Sequence, residues 1–510
     1  MNDGTESKPI VPRSVGLLLG IISALMVWWL VSDPRAGAAG AVMTLMACWW
    51  LTEALPLAAT SLVPLVLFPA LGVLSTREAA APYADRVIFL FMGGFMLAAA
   101  MQRCGLHTRI ALRTVRIIGL SPARIVAGFM VATAILSIWV SNTATAMMML
   151  PIATSIIAVF HERDEQLAKP LGTCLMLGIA YAATIGGVAT PIGTPPNAFL
   201  MAHLSATFDK KISFLDWMGV GLPVTIVFLP ITWLLLTRFL FPIGGVATGD
   251  ARRTIDDRLG ALGPMKRAEW IVFVVFCCTV TLWVGRGLLE DLVFSDFTAS
   301  GDPDRTRFWA WLICHDIDDA SIAIAAALAL FIAPAAPGRA VLEWKDARQI
   351  PWGVLLLFGG GLSLAKGAEV SGVSRLIGDQ AHFLAGLPLP VTVVIIAAAL
   401  IALSELTSNT ATANIFYPIL SAAAVVGLGV DPLLLLVPAC LGVSLAFMMP
   451  VGTPPNAIAY STGLVSMRQM VRAGFFLNLI SIVLCSLATY TVAIWALGLQ
   501  TSGLPDWAAP

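Results

Sequence analysis

Eight residues, Pro191-Ile192-Gly193-Thr194-Pro195-Pro196-Asn197-Ala198, return with one change as Pro450-Val451-Gly452-Thr453-Pro454-Pro455-Asn456-Ala457. Both copies lie inside long apolar stretches that otherwise read as helices. A proline pair removes two backbone donors and clashes with the preceding turn, so neither stretch can be one continuous helix. A second string is repeated upstream of each: Ser137 followed by Ser141-Asn142-Thr143-Ala144-Thr145-Ala146, and Ser404 followed by Ser408-Asn409-Thr410-Ala411-Thr412-Ala413. The chain therefore reads as two copies of one unit, each with a polar tip and a forced break.

The setting of these motifs is a membrane. Mean hydropathy is +0.88 and only 12% of residues are charged, about half the share of a soluble domain. The 30 basic and 30 acidic residues balance, which gives no reason to expect a nucleic-acid partner. The eight cysteines are scattered through apolar runs without CxxC spacing and read as buried, inert thiols. The first apolar run, 15–31, is longer than a signal peptide's core and is followed by further spans, so it reads as a retained helix.

About 20 apolar residues cross a bilayer. The expected fold is an all-α polytopic membrane protein with about eleven spans: 14–32, 38–54, 55–74, 86–104, 171–206, 217–241, 268–286, 318–336, 351–366, 432–462 and 472–498. Stretches 124–160 and 389–427 carry the Ser-Asn-Thr tips near their middles, either as two thin spans each or as re-entrant hairpins. With both re-entrant and the N-terminus cytoplasmic, roughly two thirds of the lysines and arginines fall on the inner side. These include Arg103, Arg109, Arg113, Arg116, Arg124, Lys345 and Arg348; the acid-rich segment 287–317 falls outside, as does the C-terminus. The domains then run 1–36 (N-terminal segment and first helix), 37–245 (first repeat), 246–267 (cytoplasmic linker) and 268–510 (second repeat), the two repeats being inverted. Segment 107–118 reads as an amphipathic helix on the inner surface.

Irregular backbone at membrane depth survives only where protein buries it or a watery cavity is lined by it. Gly193 and Gly452 ease the unusual backbone. Thr194 and Thr453 stand as N-caps, with the first proline of each pair at the favoured first helical position. The prolines free the carbonyls of Pro191, Ile192, Pro450 and Val451 as hard oxygen ligands, and each new half-helix points its positive end into the cavity. Asn and Thr at the tips tolerate turns and cap the following helix. They add acceptor oxygens for a cation and N–H and O–H donors for a carboxylate. Two tips and two breaks meeting at mid-membrane make one anion site between two cation sites, the pattern of a secondary transporter. No charged residue lies in either broken helix, and Glu405 alone lies in a hairpin core. A dianion at such a site needs cations that travel with it, so sodium symport follows; proton coupling through Glu405 is the alternative.

The chain resembles the divalent anion/sodium symporter family, the sodium-coupled dicarboxylate carriers, over nearly its whole length. Both Ser-Asn-Thr tips and both Thr-Pro-Pro-Asn breaks carry the likeness. So do Trp50-Leu51-Thr52-Glu53-Ala54-Leu55-Pro56-Leu57, Phe91-Met92-Gly93-Gly94-Phe95 and Phe358-Gly359-Gly360-Gly361. The resemblance implies an elevator-type homodimer in a bacterial inner (plasma) membrane, importing a C4 dicarboxylate such as succinate, malate or fumarate with at least two Na+. It places one sodium on Ser137, Ser141, Asn142 and Gly193, and another on Ser404, Thr407, Asn409 and Gly452. Substrate carboxylates would meet Asn142, Thr143, Asn409 and Thr410, with Thr194, Thr453 and Pro454 completing the pocket. No basic side chain replaces a sodium ligand, which favours symport over exchange. Citrate and sulfate are alternative substrates, and no catalytic cluster points to an enzyme.

Overall fold

The structure is a computed structural model describing residues 12–119, 121–161, 165–244, 249–300, 318–380 and 386–509. The chain opens with α1 (Arg13–Leu30), α2 (Pro34–Thr52), the short α3 (Leu57–Thr60), α4 (Val63–Ala70) and α5 (Thr76–Ala80), then α6 (Arg86–Cys104) and α7 (Leu106–Ile118). Hairpin one is α8 (Pro122–Ser137) and α9 (Asn142–His161). Broken helix one is α10 (Glu165–Gly187) and α11 (Pro195–Phe208), followed by α12 (Phe214–Leu234). After α13 (Gly249–Leu262) come α14 (Arg267–Ser300), α15 (Asp319–Ile332), a small antiparallel pair β1 (Pro334–Ala336) and β2 (Arg339–Ala340), and α16 (Trp344–Ala347). The order then repeats: α17 (Trp352–Ser371) and α18 (Val373–Gln380) match α6 and α7. Hairpin two is α19 (Leu389–Ser404) and α20 (Asn409–Ala422); broken helix two is α21 (Leu433–Ser444) and α22 (Pro454–Ser461). The chain closes with α23 (Met467–Tyr490) and α24 (Val492–Leu497).

Eight of the described helices are long and apolar enough to be candidate membrane spans, and shorter apolar helices stand at 57–70, 122–137, 142–158, 319–332, 389–404 and 433–444. The expected span at 55–74 is two short helices. Pro56, Pro64 and Pro69 interrupt it, and the Ser61 carbonyl between them accepts from the Tyr83 hydroxyl instead of from a helical turn. Helix α15 stops at Ile332 and gives way to the strand pair. Asn409–Leu428, the rear of hairpin two, is itself of spanning length. The segment expected as an outer loop from residue 287 begins as helix, because α14 continues to Ser300. Asp302, Asp304, Asp316 and Cys314 lie outside the described residues.

The helices that precede the two breaks are the most enclosed. Helix α10 is buried almost throughout and packs on both arms of hairpin one; every residue of α21 is buried. A helix apolar on all faces belongs at the centre of a bundle. Leu18, Ile22, Leu25 and Trp29 of α1 are exposed instead, as on a lipid-facing helix. Helix α7 is amphipathic as expected, but Arg109 is not on its solvated face. Its guanidinium is buried, 2.8 Å from the Gly263 carbonyl and 3.0 Å from the Glu269 carboxylate, and so ties α7 to the linker ahead of α14. Arg113 and Arg116 are exposed, and Arg116 pairs with Asp256 at 2.9 Å.

Candidate functional site

Each hairpin tip is a four-residue turn docked against the last helical turn before a break. Ser137 Oγ lies 2.7 Å from Asn142 Oδ1 and 2.7 Å from the Ala183 carbonyl. In the second copy Ser404 Oγ lies 2.5 Å from Asn409 Oδ1 and 2.6 Å from the Val443 carbonyl. In each cluster one hydroxyl proton serves three oxygens. Such a group is rich in lone pairs and poor in protons, a composition suited to a hard cation. Ser141, rather than the asparagine, caps the helix of hairpin one, accepting from Ala144 N–H at 3.4 Å. Asn142 and Asn409 are the first residues of their helices, which leaves their amides free to face inward.

Thr194 and Thr453 have the extended backbone of N-caps (φ −142° and −140°) with a proline next, as expected, but neither side chain caps its helix. The Thr453 hydroxyl is buried with no protein partner. What holds each break is the motif asparagine, which the sequence did not mark as functional. Asn197 Nδ2 donates to the carbonyls of Gly187 (3.3 Å), Val188 (3.2 Å) and Thr190 (2.8 Å). Asn456 Nδ2 donates to Met449 O at 3.2 Å. These carbonyls lost their helical partners at the break, and a buried amide two residues into the next helix restores them. Among the described residues none donates to the carbonyls of Pro191, Ile192, Pro450 or Val451.

Glu405, just past the end of α19, is buried. Its Oε1 accepts from Phe447 N–H (2.7 Å), Met448 N–H (2.9 Å) and Asn478 Nδ2 (2.6 Å); its Oε2 accepts from Met448 N–H (3.0 Å) and Met449 N–H (2.9 Å). Three consecutive amides converging on a carboxylate form an anion cradle. The side chain clasps hairpin two to broken helix two. In repeat one Ile138 replaces it, and the contact reverses: Thr190 Oγ1 donates to the Ile138 carbonyl at 2.5 Å.

Both tips and both breaks line one cavity of about 920 Å³. Ser141, Asn142, Thr143, Gly193 and Thr194 face it from the first copy, and Ser408, Asn409, Thr410, Gly452, Thr453 and Pro454 from the second. Ser137 and Ser404 sit fully buried outside this lining. Thr407 does not line it; its hydroxyl bonds the Leu403 carbonyl (2.9 Å) and Thr412 Oγ1 (2.7 Å). The tip residues that line the cavity carry no charge. Arg103, at the cavity's rim, is held at 2.6 Å by both Glu343 and Asp346, and Lys345 also pairs with Glu343 at 2.7 Å. Lys345 and Arg103 hold the Glu343 carboxyl down at about 2.

A methyl on Gly187 would collide with the Asn142 amide, and one on Gly193 with the Gly187 carbonyl. Gly187→Ala is therefore expected to displace Asn142 and weaken cation-dependent uptake about tenfold or more, the scale of overpacking a tight core. A sodium titration of uptake measures this, and an unchanged curve would show that Asn142 is not seated on the end of α10.

Comparison with known proteins gives the chain's family. The profile of the family described as "Sodium:sulfate symporter transmembrane region" matches residues 14–499. The sodium-dependent dicarboxylate transporter SdcS of Staphylococcus saprophyticus is 39% identical over 508 residues, covering 97% of this chain and 94% of the relative. SdcS of Staphylococcus aureus strain NCTC 8325 is 40% identical over 512 residues, covering 97% and 95%. Among solved structures, the YdaH transporter of Alcanivorax borkumensis superposes with a TM-score of 0.54 at 14% identity. The match covers 89% of this chain and 98% of that one, and is a likeness of fold alone. With the profile spanning the tips, the breaks and nearly all the rest, this chain is an integral membrane transporter that belongs to the sodium:sulfate symporter family, the divalent anion/sodium symporters.

Proposed function

We propose that the protein imports a C4 dicarboxylate, such as succinate, malate or fumarate, with at least two Na+ per substrate. The observation that carries this is the pairing, in one cavity, of two matching neutral tips, each backed by a proton-poor oxygen cluster. Asn142 and Thr143 would take one carboxylate and Asn409 and Thr410 the other, with Thr194, Thr453 and Pro454 between them. Sodium held by Ser137, Ser141, Asn142 and the Gly193 carbonyl, and by Ser404, Asn409 and the Gly452 carbonyl, would supply the charge the protein lacks there. Thr407 belongs to the second set through the Ser404–Asn409 turn, since its hydroxyl is turned to Thr412. The sodium-dependent dicarboxylate transporters named above support both cargoes.

Arg103 and Gln349 are exposed residues of the cavity lining, and charge placement assigns them to the cytoplasmic side, with the N-terminus inside and the C-terminus outside; on that reading the cavity opens inward. The state is then inward-facing. Hairpins and broken helices, read as re-entrant elements of two inverted repeats, would travel as one body in an elevator cycle, on a scaffold that dimerises. Reconstituted protein is expected to accumulate labelled succinate when sodium is higher outside, and not under potassium alone. Uptake that follows pH and ignores sodium would move the coupling to protons; uptake only against internal dicarboxylate would make it an exchanger. A competition panel with malate, fumarate, citrate and sulfate ranks the substrates.

A further inference from the structure

The two breaks are not held alike, and the difference joins the two cation sites. Broken helix two is hydrogen-bonded within its own repeat, by Glu405, and meets the other repeat through ring contacts such as Tyr181 on Phe447 at 5.2 Å. Broken helix one is also clasped from the other repeat. Tyr417, two turns along α20 from Asn409, donates its hydroxyl to the Pro196 carbonyl at 3.3 Å. Its ring stacks on Phe199 at 5.6 Å. Cys440 of α21 points its thiol at Asn197 Oδ1, 3.4 Å away. Tyr417, Cys440, Asn197 and Pro196 are all buried. Asn197 is the residue whose other amide end gathers the carbonyls of Gly187, Val188 and Thr190, and so shapes the turn that presents Gly193.

The repeat has no mirror of this contact. Leu150 stands at the place of Tyr417 and cannot donate. Tyr181 stands at the place of Cys440, but its hydroxyl reaches the Met470 carbonyl at 3.4 Å, and Asn456 Oδ1 is left without a protein partner. One helix, α20, therefore carries Asn409 at its start and grips the first break further along. Pro418 leaves the Asn414 carbonyl without its helical donor, but Asn409 and Tyr417 share one helix, so ordering its N-terminus around a cation bears on the seating of the Tyr417 hydroxyl against Pro196.

We propose that Tyr417 is a positioning residue that couples the two cation sites: filling either one preorders the other. This rests on the cation sites assigned above. Coupling of this kind is a free energy shared between sites and is read as cooperativity. Tyr417→Phe removes the hydroxyl and keeps the ring. In the full-length protein, purified in detergent and titrated with sodium at equilibrium, its sodium-binding curve is expected to lose sigmoidicity, the Hill coefficient falling toward one. Half-saturating sodium should rise about three- to tenfold, the scale of one hydrogen bond. The dicarboxylate KM at saturating sodium should stay near the native value, which a merely structural lesion would not spare. Cys440→Ala should shift the sodium curve the same way, and Cys440→Ser, which still donates, should not. Leu150→Met serves as the control at the mirrored position. A native Hill coefficient in Tyr417→Phe overturns the proposal. Should that variant fail to assemble, a native Hill coefficient in Cys440→Ala overturns it equally. Absence of any sodium response in the unmodified protein would instead refute the cation sites themselves.

Discussion

Replacing Asn142 or Asn409 by alanine is expected to lower the apparent affinities for sodium and for dicarboxylate together, each by roughly ten- to a hundredfold. The estimate follows from about 1.5–3 kcal/mol for each hydrogen bond or ligand contact to a charged group. The two losses should coincide because each asparagine faces both ways. Its Oδ1 belongs to the oxygen cluster with Ser137 or Ser404, and the residue lines the cavity beside Thr143 or Thr410. Folding should survive, since the tips are only half-buried and contribute little packing. Cys277→Ala and Cys278→Ala, on the exposed face of α14, should leave uptake near native. Sodium and succinate titrations on the same proteoliposomes decide the matter. An asparagine variant with native sodium dependence would remove the tips from the cation sites.

What the sequence made legible was whatever the chain writes locally. Proline pairs cannot sit inside a helix, so both breaks were visible, and the element order on either side follows the repeat. Hydropathy alone misled where it averages over interruptions, as at 55–74, where three prolines divide an apolar run into pieces too short to span. It also placed a loop from residue 287 where α14 continues to Ser300. The candidate site divides in the same way. Asn142, Thr143, Thr194, Asn409, Thr410 and Thr453 line one cavity, as their paired motifs implied. The residues that hold that cavity in shape were not legible. Asn197 and Tyr417 act on partners brought together only by the fold, and no spacing in the chain announces such a pairing. The one available signal was that Asn197 and Asn456 recur next to last in both repeated strings, buried polar residues that must find partners.

Glu405 is where the two readings of the coupling separate. As a clasp, it gives the amides of Phe447, Met448 and Met449 the acceptors that a broken helix denies them, and Asn478 a fourth bond. Glu405→Ala would leave these donors buried and unmet, at about 1–3 kcal/mol each, and should destabilise the protein by several kcal/mol. Glu405→Gln keeps one acceptor oxygen but turns an NH2 group toward amide donors, so it should lie between alanine and the native side chain. The second cation site should suffer with it. A Cβ on Gly452 would stand 3.2 Å from the carbonyls of both Ser404 and Glu405, so movement of the clasp moves that ligand set. Thermal melts in detergent with and without sodium measure both effects: a lower melting temperature, and a smaller sodium-induced rise. A proton carrier predicts the contrary result. Glu405→Gln would then fold and bind sodium normally, while uptake lost its response to a pH gradient. Five donor contacts onto two oxygens leave a proton no place that does not displace an amide, which is why the melt, and not the pH response, is expected to change.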